Sequence, residues 1–193
     1  MQYVFKKSKH LLLLFLLSLV SCGFSGGNAP NLFGNMKVYV TTVSYTGALG
    51  GINGADEKCM SDANYPGEGT YRALLSDGSS RTTLSDWVLI AGVKYIRATG
   101  GDVIATATSE STFSFPLSSS FVTSVATTPY WSGLKANWDG ESGIVDNCQN
   151  WTSANAIYNG NIGRAEDTAS SAIFDSSVTG TCNSSFKLVC IEQ

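Results

Sequence analysis

Apolar and polar residues alternate over short runs in the chain after residue 35, and turn-forming residues separate the runs. Residues 36–43 alternate in this way and are rich in β-branched side chains, so they are predicted to form the first strand. The second predicted strand is 70–76, and an Asp77-Gly78 turn follows it. The further predicted strands are 87–90, 103–106, 130–134, 149–152 and 186–191.

One short helix is predicted between the first two strands. Asn53 is expected to be its N-cap, with Asp56 at the third helical position, which is close to a capping box. Pro66-Gly67 would end the helix. Its inward face would carry Ala55, Cys59 and Ala63. Many short strands, one or two helices and long polar loops together predict an α+β domain.

The first residues differ from the rest of the chain. Lys6, Lys7 and Lys9 precede an apolar run at 11–20, and a small residue, Ser21, follows it. This run is too short for a transmembrane helix, which needs roughly 20 apolar residues. A buried core helix is the alternative, but such a helix would carry a polar face, and this run has almost none. Residues 1–21 are therefore predicted to be a secretory signal.

The end of the apolar run, Leu19-Val20-Ser21-Cys22, resembles a bacterial lipobox. In such signals the cysteine thiol is acylated and the chain is cut just before it, so Cys22 is expected to be the lipidated N-terminus. Ordinary secretory cleavage is the alternative. Residues 22–35 are rich in Gly and Asn and would tether the lipid to a domain at 36–193. Two acyl anchors are enough for stable attachment to a membrane.

Removal of residues 1–21 from the 193 leaves 172 residues, an ordinary size for one domain. Lys plus Arg then falls from 12 to 9 against 15 Asp plus Glu, so the net charge changes from −3 to −6. This acidic balance argues against nucleic acid as a partner.

Cysteine and histidine usage restricts the chemistry further. Four cysteines remain besides Cys22, and in an exported domain they imply two disulfides, for which the count alone allows three pairings. The only histidine, His10, lies in the signal. The mature chain therefore has no histidine for Ser-His-Asp or Cys-His catalysis or for a zinc site. No pair of carboxylates is singled out by its spacing, so no enzymatic activity is expected.

Three pairs of motifs carry a resemblance to a known fold. They are GINGADEKC (51–59) with GTYRALLS (69–76), YWSG (130–133) with NCQNWT (147–152), and TC (181–182) with LVCIE (188–192). In this order, with all four cysteines, they resemble the endostatin-like branch of the C-type-lectin-like fold. The resemblance is thin across 80–128. It implies short, mostly antiparallel strands, long loops and the disulfides Cys59–Cys190 and Cys148–Cys182.

A lipobox followed by such a domain is similar to the leptospiral endostatin-like outer-membrane lipoprotein family. The resemblance implies a lipid-anchored, surface-exposed outer-membrane protein that acts in adhesion and complement evasion. The implied partners are host laminin, fibronectin, plasminogen and factor H. The alternatives are a carbohydrate-binding lectin, which could depend on calcium, and a structural envelope lipoprotein. The zinc-binding histidines of endostatin have no counterpart here. Endostatin binds heparin through clustered arginines, whereas the arginines of this chain are scattered along the sequence.

One acidic loop is the candidate ligand site, because it lies where C-type lectins carry a long binding loop. The candidate ligand-binding residues are Trp138, Asp139, Glu141, Asp146 and Asn147. The carboxylates of Asp139, Glu141 and Asp146 are candidate ligands for calcium, and no other cofactor or metal is expected. A solvated acidic loop is the alternative. Trp131 and Trp151 are predicted to be core residues, whereas Trp138 is expected to be exposed.

Overall fold

The computed structural model describes residues 34–140 and 146–193, all within one compact unit, Asn31–Gln193. The predicted signal at 1–21, Cys22 and Glu141 lie outside the described residues. The elements in chain order are β1 (Met36–Val40), α1 (Gly51–Ser61), β2 (Tyr71–Ala73), β3 (Lys94–Arg97), β4 (Val103–Thr106), β5 (Pro129–Trp131), α2 (Cys148–Trp151), β6 (Asn159–Arg164), a 3-10 turn (Ser170–Ala172), β7 (Thr179–Thr181) and β8 (Val189–Glu192). No helix in these two ranges has the length and apolar character needed to cross a membrane.

The strands form two sheets. The larger sheet has five strands in the order β2-β8-β1-β3-β4, and the smaller has three in the order β5-β6-β7. Only β1 and β3 pair in parallel among these neighbours, and every other pair is antiparallel. The last strand, β8, therefore lies between β2 and β1, which ties the end of the chain into the sheet. The predicted α+β class with short, mostly antiparallel strands is confirmed.

The larger sheet carries a hydrophobic core on each face, because successive side chains of a strand point to opposite faces. In β8, Cys190 packs on one side while Val189 and Ile191 pack on the other. The first core, which we call the disulfide core, contains all four bridged cysteines together with Trp131, Trp151 and the inward residues of α1. The second, the cystine-free core, contains aliphatic residues and the rings of Tyr95, Phe113, Phe121, Tyr130 and Trp138.

Both disulfides have the pairing that the resemblance implied. Cys59 in α1 is bonded to Cys190 in β8 across a sequence separation of 131 residues. Cys148 in α2 is bonded to Cys182, which follows β7, across 34 residues. All four cysteines are fully buried. The first bridge joins α1 to β8, an interior strand of the larger sheet, and the second joins α2 to the end of the smaller sheet.

The helix α1 begins earlier than the sequence predicts. Its N-cap is Gly50, whose φ of 89° is a left-handed conformation that glycine adopts without steric cost, and Asn53 lies inside the helix. The helix ends at Ser61, so Ala63 lies beyond it and is exposed, while the predicted inward residues Ala55 and Cys59 are buried. A glycine cap therefore replaces the expected asparagine cap.

Two of the predicted strands, 87–90 and 149–152, are described in the structure but are not strands. Three observed strands, β3, β6 and β7, are not predicted from the sequence. Residues 87–90 have an irregular backbone that still buries Val88 and Leu89 in the cystine-free core. Residues 149–152 belong largely to α2 instead of a strand. The sequence does not predict β3, β6 and β7, because these strands are short or rich in Gly and Asn.

Candidate functional site

Trp138 is buried, with 7% of its surface exposed, so the prediction that it is exposed is wrong. Its ring stacks on Phe115 at a centroid distance of 5.9 Å and meets the edges of Phe113 and Trp87 at 5.8 and 6.3 Å. The polar neighbours Asn137 and Asp139 gave the wrong signal, because a tight loop can expose them while its tryptophan turns inward. Trp131 and Trp151 are fully buried, as predicted.

The loop 134–140 is a closed, anchored structure. An antiparallel bridge joins Leu134 to Gly140, and the Lys135 amide donates to the Asp139 carbonyl at 2.8 Å. Asp139 is exposed, and its carboxylate accepts a 2.6 Å hydrogen bond from the amide side chain of Asn137. The buried Trp138 ring therefore holds this loop in place while it presents Asp139 to solvent.

Asn147 has a structural role. Its side chain is fully buried, and its Nδ2 donates to the Asp77 carbonyl at 3.0 Å while its Oδ1 accepts from the Asn150 amide at 3.0 Å. The neighbouring Asp146 accepts a 2.8 Å bond at its carbonyl from the Asn161 amide. These contacts connect the predicted ligand loop to the loop after β2, which the sequence alone did not associate with it.

The described residues contain no group of three or more His, Cys, Asp or Glu side chains that could hold a metal ion. Of the three calcium candidates, Asp139 and Asp146 are described, and Glu141 lies outside the described ranges. The calcium site therefore stays a prediction.

The short helix α2 is left-handed. The φ angles of Cys148, Gln149, Asn150 and Trp151 are 50°, 54°, 57° and 62°. Such a conformation costs roughly 1–2 kcal/mol per residue for L-amino acids. Three anchors maintain it, namely the Cys148–Cys182 disulfide, the Asn147 cap and the buried Trp151, whose Nε1 donates to the Ser76 carbonyl at 2.9 Å. This strained turn explains why a strand was predicted here wrongly.

The loop 77–86 is organised around Asp77. Its carboxylate accepts hydrogen bonds from the amides of Ser79 and Arg81, both at 2.9 Å, and from the Ser80 hydroxyl. Burial alone would raise the pKa of Asp77, but the hydrogen bonds from Ser80, Arg81 and Ser79 outweigh it, so the pKa lies below its ordinary value. The charged form of Asp77 therefore holds the first turn of this loop.

A network of two arginines and two aspartates supports the same loop from beneath. Arg81 is fully buried and contacts both carboxylate oxygens of Asp56, at 2.9 and 2.6 Å. Arg72 reaches Asp56 at 3.3 Å and Asp86 at 2.5 Å. The Arg72 hydrogen bond, together with Arg81, lowers the pKa of Asp86. A buried arginine needs a well-aligned carboxylate to offset the cost of its desolvation, and the bidentate contact with Asp56 provides one. This contact holds Arg81, and with it the loop, against α1.

The far end of the loop is a tight turn that presents an apolar side chain. The amides and carbonyls of Thr82 and Ser85 form two hydrogen bonds, at 2.9 and 3.0 Å. Leu84 lies within this turn and is 97% exposed. Its signal in the sequence is a single leucine within the polar stretch 79–86.

Two open clefts lie beside this loop. The first has a volume of about 320 Å³ and is lined by side chains that include Asn53, Asp77, Ser80, Asp86 and Asn150. The second has a volume of about 370 Å³ and is lined by Thr82, Thr83, Leu84, Lys135, Asp139 and Gly140, among others. We call the surface formed by loop 77–86, loop 134–140, α2 and the first turn of α1 the cleft face.

The two loops of the cleft face touch closely. A Cβ added at Gly140 would lie 2.0 Å from the Ser76 hydroxyl oxygen and 2.8 Å from the Gly78 Cα. Only glycine fits at this position without displacing the backbone of the neighbouring loop. The arrangement is a rigid, polar surface with one apolar projection, which suits binding of a large ligand better than enclosure of a small one.

Comparison with known proteins places the chain in a family. A search of curated protein sequences gives no match. A family model described as "Protein of unknown function (DUF1554)" matches residues 42–168, a range that includes every loop of the cleft face but not β1, β7 or β8. Since this match covers well over half of the chain, the protein belongs to the DUF1554 family.

Proposed function

We propose that this chain is a non-enzymatic, lipid-anchored protein of the outer-membrane surface that binds host extracellular-matrix and plasma proteins through the cleft face. Export and lipidation are supported by the N-terminal signal and the lipobox-like residues ending at Cys22. The choice of laminin, fibronectin, plasminogen and factor H as ligands is supported by the family resemblance of the sequence motifs.

The observation that carries this proposal is the exposed Leu84 on a braced turn. Full burial of a leucine side chain contributes about 1.5–3 kcal/mol, and at 97% exposure none of this is used within the domain. Asp77, Arg81 and the Thr82–Ser85 hydrogen bonds already order the loop, so little conformational entropy is lost when a partner covers it.

The surroundings of Leu84 fit the usual anatomy of a protein interface. Binding energy is concentrated in a few central side chains, and a polar rim surrounds them. Here Leu84 would be the centre, and Lys135, Asp139 and Asp86 line the clefts around it. Both clefts are open to solvent, as a surface for a macromolecule requires.

Binding assays on immobilised laminin, fibronectin, plasminogen and factor H test the proposal. The full chain in detergent is expected to bind at least one of them saturably, and reduction of its disulfides is expected to abolish binding. Leu84→Ser is expected to weaken that binding at least tenfold. The matched control is Val125→Ser, because Val125 is 98% exposed and lies outside the cleft face.

Two outcomes would contradict the proposal. If none of the four proteins bound, the proposal that they are ligands of this chain would be wrong. Equal binding by the Leu84→Ser and Val125→Ser variants would exclude the cleft face as the site, even if a ligand were found.

A second candidate function, carbohydrate binding, is favoured by the first cleft. Asn53, Asp86 and Asn150 are exposed there, and their amide and carboxylate groups suit the hydroxyls of a sugar. A glycan array with and without chelator tests this function and its calcium dependence. Asn53→Ala is expected to reduce glycan binding, and unchanged binding by this variant would exclude the first cleft.

A further inference from the structure

A second open region of the surface shares no lining residue with the two clefts. One cavity of about 180 Å³ is bounded in part by Val38, Val40, Phe121 and Val122. An adjoining cavity of about 400 Å³ shares Val40, Val122 and Asn64 with it. The two therefore form one continuous depression along the C-terminal end of β1, which we call the β1 groove. Together they fall within the range of about 300–1,000 Å³ that is typical of ligand sites.

One end of the β1 groove is lined by Arg97, which is 8% exposed. Its terminal nitrogens donate to the Asp102 carboxylate at 2.8 Å and to the Ser120 carbonyl at 3.1 Å. Its Nε is buried and has no hydrogen-bond partner among the described residues. A buried donor without a partner destabilises the domain, so a ligand carbonyl oxygen that reached this Nε through a small shift of the Arg97 side chain would relieve that cost.

The other end is lined by Lys187. Its ammonium donates to the Thr41 and Thr42 carbonyls, both at 2.7 Å. An ammonium has three donor hydrogens, so one is left for a ligand. None of the ion pairs among the described residues includes Lys187, whereas the charge of Arg97 is balanced by Asp102. The Lys187 end is therefore the end at which an anion is favoured.

We propose that the β1 groove binds the carboxyl-terminal end of an extended apolar peptide from a partner protein. The terminal carboxylate pairs with Lys187, a main-chain carbonyl accepts from the Arg97 Nε, and apolar side chains cover Val122, which is the partly exposed apolar residue of a groove whose other apolar lining, Val38, Val40 and Phe121, is buried. A fatty acid would supply the carboxylate and the apolar body but no second acceptor for Arg97. A peptide carries an acceptor at each residue, spaced by about 3.3 Å when extended.

Calorimetric titration of the full chain with the tetrapeptide acetyl-Ala-Val-Ala-Val tests this site. The free acid is expected to bind at least tenfold more tightly than the C-terminal amide, because only the acid pairs with Lys187. Octanoate is expected to bind more weakly than the peptide acid. Leu84→Ser is expected to leave peptide binding unchanged, which separates this site from the cleft face.

Two adjacent exposed positions give a matched pair of variants. Ser124 lines the groove and Val125 does not. Ser124→Glu places a carboxylate in the groove and is expected to reduce binding of the peptide acid at least tenfold, while Val125→Glu, with the same charge change, is expected to leave it unaltered. Equal affinity for acid and amide, tighter binding of octanoate, or equal effects of the two glutamate variants would each overturn the proposal.

Discussion

The two walls of the cleft face are held by different cores. The α2 wall is anchored by Trp151 and Cys148 in the disulfide core, whereas the 134–140 wall is anchored by Trp138 in the cystine-free core. One wall thus has a covalent bridge, whereas the other is held without one, by ring packing and hydrogen bonds. The comparison shows that a single binding surface can depend on two independent sources of rigidity, which mutations can separate.

The largest expected effect is the loss of the long disulfide. Cys59→Ala with Cys190→Ala removes a bridge that spans 131 residues, and in the chain-entropy model this lowers the free energy of unfolding by about 5 kcal/mol. Removal of the 34-residue bridge is expected to cost about 4 kcal/mol and to loosen α2 specifically. Urea denaturation of both variants measures the difference, and a smaller loss for the longer bridge would contradict the loop-length argument.

The 134–140 wall is tested by Trp138→Ala with both disulfides intact. The loss of this buried ring is expected to lower the free energy of unfolding by about 3–5 kcal/mol, because its contacts with Phe113, Phe115 and Trp87 disappear. Trp138→Phe is the control and is expected to cost less. A loss below about 1 kcal/mol in urea denaturation would mean that the loop does not depend on this ring.

An intermediate effect is expected from Asp77, which lies between the two walls. Asp77→Asn weakens charge-assisted hydrogen bonds and is expected to cost about 1.5–3 kcal/mol. The folded-state pKa of Asp77 lies below its ordinary value of 3.8, so its contribution is present above about pH 4 and is lost as the pH falls through the folded-state pKa. Urea midpoints measured from pH 6 to pH 2 should therefore fall less in the variant than in the wild type. An equal fall would contradict this role.

The smallest effect on stability is expected at Leu84. Because its side chain is 97% exposed, Leu84→Ser is expected to change the free energy of unfolding by less than about 0.5 kcal/mol. Thermal unfolding of this variant beside Val125→Ser provides the check. A loss above about 1 kcal/mol would show that Leu84 packs within the domain and is not reserved for a partner.

The disulfide core was the more predictable of the two. The α+β class, β1 and the burial of Trp131 and Trp151 agree with the sequence analysis. Both cysteine pairs agree with what the family resemblance implied, whereas the cysteine count alone left three pairings open. The irregular stretch at 87–90 was predicted as a strand because its residues are apolar. Its burial was indicated correctly, but apolar runs do not determine backbone conformation.

The cleft face was predictable only in part. Asp139 was expected on a surface loop and is exposed there. Asn147 instead forms internal hydrogen bonds, and Trp138 packs in the core. The contribution of loop 77–86 depends on contacts between residues far apart in the sequence, such as Arg81 with Asp56 and Asn147 with Asp77. Neither pairing leaves a local pattern, so only the folded structure brings these segments together.

The central claim is that partner proteins dock on the cleft face, and hydrogen–deuterium exchange in the presence of a bound host ligand tests it most directly. With whichever of the four proteins binds the full chain most tightly, protection is predicted at 79–86 and 134–140, centred on Leu84. Protection confined to other segments, with exchange at 79–86 unchanged by the ligand, would contradict the account.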